Sequence, residues 1–174
     1  MRLGVIVMSF LFSACSGGID GAKYLDLEPR LSIESYFNGP IKAWGLIQDR
    51  RGNVITRFEA DMLASWEDGQ CILEEKFLYH GTGETQMRTW IIKKSGPLEY
   101  EGTAGDIIGI AKGKSFGNAI YWSYEMDVPV SDTTYRLKFD DWMWALPGDV
   151  VINRSYLKKF GFKVAELTLF MQKI

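Results

Sequence analysis

The chain has 174 residues, and 20 Lys and Arg against 22 Asp and Glu give it a net charge of −2 at pH 7. This mild acidic balance excludes the electrostatic footprint of a nucleic-acid-binding protein, and no block of Lys and Arg marks a patch for anionic lipid. The length fits one domain of ordinary size with a core of its own.

The N-terminus has the pattern of an export signal. Arg2 precedes an apolar run from Leu3 to Phe12, and small residues then lead to Cys15. This order is typical of a secretory signal. The end of the run, through Cys15, also resembles the lipobox of bacterial lipoproteins, with Phe12 where that family usually has leucine. The resemblance implies that a signal peptide of residues 1–14 is removed and that Cys15 then carries diacylglycerol.

The lipobox resemblance also implies a location. Ser16-Gly17-Gly18 follows the cysteine with no Asp at the second position, which in Gram-negative lipoproteins implies release to the outer membrane, here facing the periplasm. The predicted partner is therefore a membrane, because two or more acyl chains anchor stably. The alternatives are an ordinary secretory signal that contains a cysteine, and a membrane-spanning helix, which needs about 20 apolar residues. We predict a lipidated cysteine and tether over residues 15–30 and a folded domain over residues 31–174.

From residue 41 onward, apolar residues recur at period two and turn residues stand where each run stops. In the clearest strand, Val54–Trp66, residues such as Phe58 and Met62 share one face while Arg57 and Glu59 share the other, so one face is buried and one is wet. The predicted strands are Ile41–Asp49, Val54–Trp66, Cys71–His80, Thr85–Lys94, Leu98–Thr103, Asp106–Lys112, Ser115–Asp127, Thr134–Ala145, Val150–Leu157 and Lys163–Gln172.

About ten sequential strands with short connections indicate an all-β protein, an antiparallel up-and-down meander. A meander of this length must protect its edge strands, and closing into a barrel abolishes them. We therefore predict a closed or nearly closed barrel. Residues Leu31–Phe37 are predicted to form a short helix that caps one end.

A series of short motifs runs along nearly the whole mature chain in a recognisable order. They are Phe37-Asn38-Gly39-Pro40, Ala43-Trp44-Gly45, Asp49-Arg50-Arg51-Gly52, Glu75-Lys76-Phe77, Arg88-Thr89-Trp90, Gly117-Asn118-Ala119 and Asp140-Asp141-Trp142-Met143. In this order they resemble the DUF3833 family of bacterial lipoproteins. That family has no assigned activity. The resemblance implies a fold similar to the calycin group of small barrels, whose members hold apolar ligands inside the barrel.

Glu75 is the clearest polar residue on a predicted inner face. It shares the parity of Phe77 and Tyr79, and an unpaired carboxylate among apolar neighbours is costly. Arg88, on the face of Trp90 in the next strand, is the expected partner. Such a pair would orient a ligand head group in an apolar cavity, or it would be a structural ion pair that fixes strand register.

Asp141 raises the same question, because alternation with Leu137 and Phe139 points it inward. A bulge or strand end would instead turn it to solvent. The predicted ligand-binding residues are Glu75, Tyr79, Arg88, Trp90 and Asp141. Glu75 and Asp141 would also suit general acid and base chemistry, provided that their separation matches the reaction.

The other candidate residues do not form the spacing of a metal site or a catalytic site. Cys71 is predicted to be buried beside Ile72 and Leu73, and His80, the single histidine, to lie at a strand rim beside Gly81. No spacing of His, Cys and carboxylates predicts a metal, and the glycine-dense stretches lack the strand-to-helix setting of a phosphate loop, so no cofactor is predicted.

Three functions fit these observations. The first is an outer-membrane lipoprotein whose barrel binds or shields an apolar molecule such as a fatty acid or membrane lipid. The second is an adaptor whose barrel is filled by side chains and whose surface contacts an envelope partner. The third is a lipid-modifying enzyme that uses Glu75, Asp141 or Tyr79. A cavity inside the barrel separates the first function from the second.

Overall fold

The computed structural model describes residues 18–130 and 132–174 and consists of one sheet with two short helical turns. A 3₁₀ turn (Gly21–Tyr24) and a one-turn helix α1 (Ile33–Tyr36) precede the strands. The strands are β1 (Gly39–Asp49), β2 (Val54–Glu67), β3 (Gln70–His80), β4 (Thr85–Lys94), β5 (Glu99–Ala104), β6 (Ile107–Phe116), β7 (Ala119–Val130), β8 (Thr133–Leu146), β9 (Val150–Lys159) and β10 (Phe162–Lys173). None of the helices in these ranges is long and apolar enough to cross a membrane.

The ten strands form a closed antiparallel barrel in which each strand pairs with the next along the chain. The first and last strands complete the ring, with Ile41 opposite Lys173 and Asp49 opposite Ala165. The predicted all-β meander and its closure are therefore confirmed. Because the connections are tight hairpins, successive hairpins lie at opposite ends of the barrel, and alternate hairpins share an end.

The boundary between β6 and β7 differs from the prediction, which ended one strand at Lys112 and began the next at Ser115. Strand β6 instead continues to Phe116, and the turn lies at Gly117 and Asn118. The misleading residue is Gly113, which lies inside the strand. A Cβ at this glycine would lie 2.9 Å from ring atoms of Trp122, so the missing side chain makes room for the indole.

Helix α1 closes one end of the barrel, which we call the closed end. Ile33 is fully buried there, and the Trp66 indole N–H donates to the Phe37 carbonyl oxygen at 2.8 Å. Glu34 accepts hydrogen bonds from Lys94 and Tyr100, both at 2.8 Å. The predicted helical segment is thus shorter than expected but occupies the predicted place.

The segment before α1 lies against the outer wall of the barrel. Tyr24 contacts Trp142 with 6.0 Å between ring centroids, and the Asn118 amide donates to the Tyr24 carbonyl oxygen at 3.3 Å. Gly21 is buried against Phe116. Within the predicted tether over residues 15–30, Gly21 and Tyr24 thus pack against aromatic rings of the outer wall. The predicted lipidation site, Cys15, and the predicted signal peptide lie outside the described residues.

Candidate functional site

A cavity of about 740 Å³ lies inside the barrel. Its lining runs from Phe37 at the closed end to Gly81 and Thr82 of the β3–β4 hairpin and to Pro129 near the end of β7. The cavity therefore opens at the end opposite α1, which we call the mouth. Apolar side chains supply much of the wall, including Phe58, Met62, Leu73, Met126, Phe139, Leu157 and Leu167.

Glu75 and Arg88 face each other across one rung of the β3–β4 pair. The Arg88 Nε donates to Glu75 Oε2 at 2.5 Å, and Glu75 is only 5% exposed. The guanidinium carbon of Arg88 lies 5.1 Å from the ring centroid of Phe77 and 5.5 Å from that of Trp90. Burial acts to lower the pKa of Arg88, but the charge and hydrogen bond of Glu75 outweigh it, so the guanidinium stays charged.

A second carboxylate reaches Arg88 from the turn between β5 and β6. Asp106 Oδ2 lies 3.5 Å from Arg88 Nη1, and Asp106 also lines the cavity. Its other oxygen, Oδ1, is buried and has no hydrogen-bond partner in residues 18–130 and 132–174. A buried acceptor without a partner is uncommon, so this oxygen is a candidate contact for a bound molecule.

Asp141 faces the same cavity, as the alternation predicts, and is 7% exposed. Ser155 Oγ donates to its Oδ1 at 2.8 Å, Asn153 Nδ2 donates to the same oxygen, and Tyr124 Oη donates to Oδ2 at 3.4 Å. Burial raises the pKa of Asp141 above its ordinary value, and the three hydrogen bonds and the charge of Arg88 offset only part of that rise. Burial, and then the charge of Asp141, raises the pKa of Tyr124 well above its ordinary value, so its hydroxyl stays a donor.

Tyr79 and Trp90 complete the predicted set. The Tyr79 hydroxyl lies 3.0 Å from Gln86 Oε1, to which it donates, and the Trp90 ring packs edge-on against Tyr124 at 5.6 Å. All five predicted ligand-binding residues line one cavity. Two predicted locations are confirmed: Cys71 is buried, with its pKa raised by burial to about 11, and His80 is exposed at the end of β3.

Four polar lining residues that contact Arg88 or Asp141 were not among the predicted site residues: Asp106, Tyr124, Asn153 and Ser155. Three of them stand at inward positions of β7 and β9, where alternation carried a usable signal. Asp106, predicted as the first residue of the strand Asp106–Lys112, instead belongs to the turn before β6, and only the fold brings it to Arg88. The resulting polar cluster, defined as Glu75, Arg88, Asp106, Tyr124, Asp141, Asn153 and Ser155, contains three carboxyl groups and one guanidinium.

A closed up-and-down barrel with an internal cavity and a few inward polar groups defines the class of calycin-like barrels. Within that class the chain belongs to the DUF3833 family, described as a protein of unknown function, whose model matches residues 9–173. No curated protein matches the chain.

Among solved structures, the barrel is similar to the S-type phycobiliprotein lyase from Guillardia theta. The TM-score is 0.57 at 10% sequence identity, and the match covers 82% of this chain and 91% of that one. At this identity the similarity concerns the fold, and it agrees with the calycin-like architecture that the family resemblance implied.

Proposed function

We propose that this protein is an envelope lipoprotein whose barrel binds an elongated, mostly apolar molecule, such as a membrane lipid, with its polar end at the polar cluster. The observation that carries the proposal is the cavity of about 740 Å³, which opens at one end and places that cluster among apolar walls. Binding cavities for small molecules fall within about 300–1,000 Å³ and combine apolar walls with a few placed polar groups. The solved neighbour, a phycobiliprotein lyase, has a similar fold.

The charges of the cluster favour one kind of polar end. Arg88 is already held by Glu75 at 2.5 Å and by Asp106 at 3.5 Å, so a free carboxylate would bring a further negative charge to an engaged cation. A group that donates hydrogen bonds, such as a hydroxyl, amide or amine, would satisfy the buried Asp106 Oδ1. Of the two ligand types that the sequence suggests, this arrangement favours a lipid with a donating head group over a fatty acid.

The two other functions have less support. An adaptor with a filled barrel would leave no internal space of this size. A lipid-modifying enzyme would need a carboxylate available for proton transfer, whereas Glu75 is held by Arg88 and Asp141 by three donors. These engaged carboxyl groups suit binding and orientation better than turnover.

Native mass spectrometry of the exported Cys15→Ser protein, purified gently from host envelope, tests the proposal. We expect a stoichiometric extra mass that is released on denaturation. Arg88→Met removes a cation from the cavity, and Lys42→Met removes one from the outer wall, where Lys42 pairs with Asp61 at 2.8 Å. The extra mass should be lost in Arg88→Met and kept in Lys42→Met, with circular dichroism to verify that both are folded. A clean apo mass in several lipid-rich preparations would overturn the proposal.

A further inference from the structure

The β9–β10 hairpin ends in two exposed aromatic residues. Phe160 and Gly161 form its two-residue turn with φ of +51° and +83°, and Phe160 and Phe162 are 90% and 77% exposed. A left-handed φ is uncommon for a bulky residue, and turns of this kind favour Asn, Asp or Gly at the first position. The turn therefore holds a phenyl ring in water at a conformational cost, without burying it in the fold.

Basic and apolar side chains border this tip. The Lys159 amine lies 3.9 Å from the ring centroid of Tyr135. Because β1 pairs with β10, with Asp49 opposite Ala165, the β1–β2 hairpin is the neighbour of the tip. It contributes exposed Arg50 and Arg51.

Val54 and Ile55 of the same hairpin are 50% and 61% exposed. These residues come from two separate stretches of sequence, so no block of Lys and Arg marks the patch before the chain folds. We define the hairpin patch as Arg50, Arg51, Val54, Ile55, Lys159, Phe160 and Phe162.

The patch lies at the mouth end of the barrel, because alternate hairpins share an end and the β3–β4 hairpin lines the mouth. Gly18 and Ile19 line a groove on the outer wall that extends from Phe116, near the closed end, to Lys158, near the end of β9.

We propose that the hairpin patch docks on a bilayer that contains anionic lipid, so that the mouth of the cavity faces the membrane. Aromatic rings enter the region between head groups and acyl chains favourably, and Lys and Arg near that surface are attracted by anionic head groups. A barrel held in this way exchanges its ligand with the bilayer through the mouth. The docking does not depend on which ligand the cavity holds.

Vesicle sedimentation of the mature Cys15→Ser protein tests the docking without its lipid anchor. The probes are vesicles of phosphatidylcholine alone and vesicles that also contain phosphatidylglycerol. We expect binding to the anionic vesicles, weaker binding to the neutral ones, and loss of affinity by about tenfold or more in Phe160→Ser/Phe162→Ser. Leu63→Ser is the control, because Leu63 is 52% exposed on β2, away from either hairpin tip.

Equal vesicle binding by the double variant and the unaltered protein would overturn the proposal, as would an equal loss in Leu63→Ser. Absence of vesicle binding would also overturn it. If the unaltered protein instead forms dimers that the double variant lacks, the patch is a contact between copies of the chain. The native mass measurement is independent of these outcomes, so failure of docking and failure of ligand binding are distinguishable.

Discussion

The carboxylate of Glu75 lies 2.5 Å from Arg88 Nε, and the two residues sit directly opposite each other on adjacent strands. The pair is asymmetric, because Arg88 has a second carboxylate, Asp106, at 3.5 Å. Glu75 is nearly fully buried, and Arg88 is the cation that pairs with it in the described residues. Removal of either partner therefore leaves a different residual charge inside the barrel.

The first prediction follows from this asymmetry. Arg88→Met leaves the Glu75 carboxylate buried without a cation, and we expect the free energy of unfolding to fall by about 3–5 kcal/mol. Glu75→Gln leaves Arg88 beside Asp106 and should cost about 1–2 kcal/mol. Urea denaturation of both variants measures the difference. A larger loss for Glu75→Gln would contradict the asymmetry.

The double variant Glu75→Leu/Arg88→Met separates the structural role of the pair from a role in binding. It removes both charges together, so we expect higher stability than in Arg88→Met alone. If the pair contacts the ligand, the double variant should be folded yet carry no extra mass in native mass spectrometry. Retention of the full extra mass would restrict the pair to fixing strand register.

The second prediction concerns acid stability at the closed end. Burial acts to raise the pKa of Glu34, but hydrogen bonds from Lys94, Tyr100 and Ser32 outweigh it and hold the pKa at about 2, below the ordinary value of 4.5. A lowered folded-state pKa gives stability that is present above about pH 4.5 and is lost as the pH falls through about 2. Since the Glu34 side chain is 35% exposed, solvent screening limits the contribution to about 1 kcal/mol.

Urea denaturation between pH 7 and pH 2 measures this contribution against Glu34→Gln. The variant should be less stable than the unaltered protein at pH 7, and the gap between them should close as the pH approaches 2. A gap that is constant over this range would show that Glu34 does not act through its charge.

The third prediction concerns Asp141, whose pKa is raised by burial. A carboxyl with a raised folded-state pKa lowers stability at pH values above that pKa, and the loss is recovered as the pH falls below the unfolded value. Asp141→Asn removes the buried charge. Its amide oxygen still accepts from Asn153 and Ser155, and its amide nitrogen donates to the Tyr124 oxygen. We expect Asp141→Asn to be more stable than the unaltered protein at pH 7, with the gain shrinking toward pH 4. Destabilisation at pH 7 would mean that the ionised form is the one that the fold favours.

The fourth prediction concerns the segment on the outer wall. Gly117 has φ of +61°, and a Cβ there would lie 2.1 Å from the Tyr24 carbonyl oxygen, so Gly117→Ala should displace the segment around Tyr24. The strained backbone adds about 1–3 kcal/mol. Gly52→Ala is the matched control, because Gly52 also has a positive φ, +88°, and its Cβ meets nothing within 4 Å. Limited proteolysis should cut the segment before α1 sooner in Gly117→Ala than in the control. Equal cleavage of the two variants would show that contacts other than the close approach of Gly117 to Tyr24 keep the segment on the outer wall.

The sequence predicted the site residues best on regular strands, where inward and outward side chains alternate. Glu75, Arg88 and Asp141 lie on regular strands, and their parity placed all three inside the barrel. Their exact partners could not be predicted, because the partners depend on strand register. Register is set by the turns and cannot be read from the alternation of side chains. Asp106 was not predicted as a site residue because the sequence placed it at the start of a strand, whereas it lies in the turn before β6 and reaches Arg88 only in the folded barrel.

The packing of the segment around Tyr24 on the outer wall was not predicted, for a different reason. Its apolar residues have no period, and they are held by aromatic side chains such as Trp142 that become neighbours only after β6, β7 and β8 pair. The β6–β7 boundary was mispredicted for the same reason. Gly113 has the sequence signal of a turn residue, but in the folded barrel it lies inside β6 and makes room for Trp122. Contacts between residues far apart in sequence determine both features, so they cannot be predicted from a local sequence pattern.

The pairing of β1 with β10 also governs how the molecule reaches its native state. Ile41 must find Lys173 across almost the entire chain, whereas every other strand pair forms between neighbours in sequence. Closing so long a loop carries the largest entropic cost, so the seam is expected to form last and to limit the folding rate. Until it forms, two strand edges are open to pairing with other chains. The newly synthesised polypeptide is therefore most vulnerable to misassembly in the interval before its two outermost strands meet.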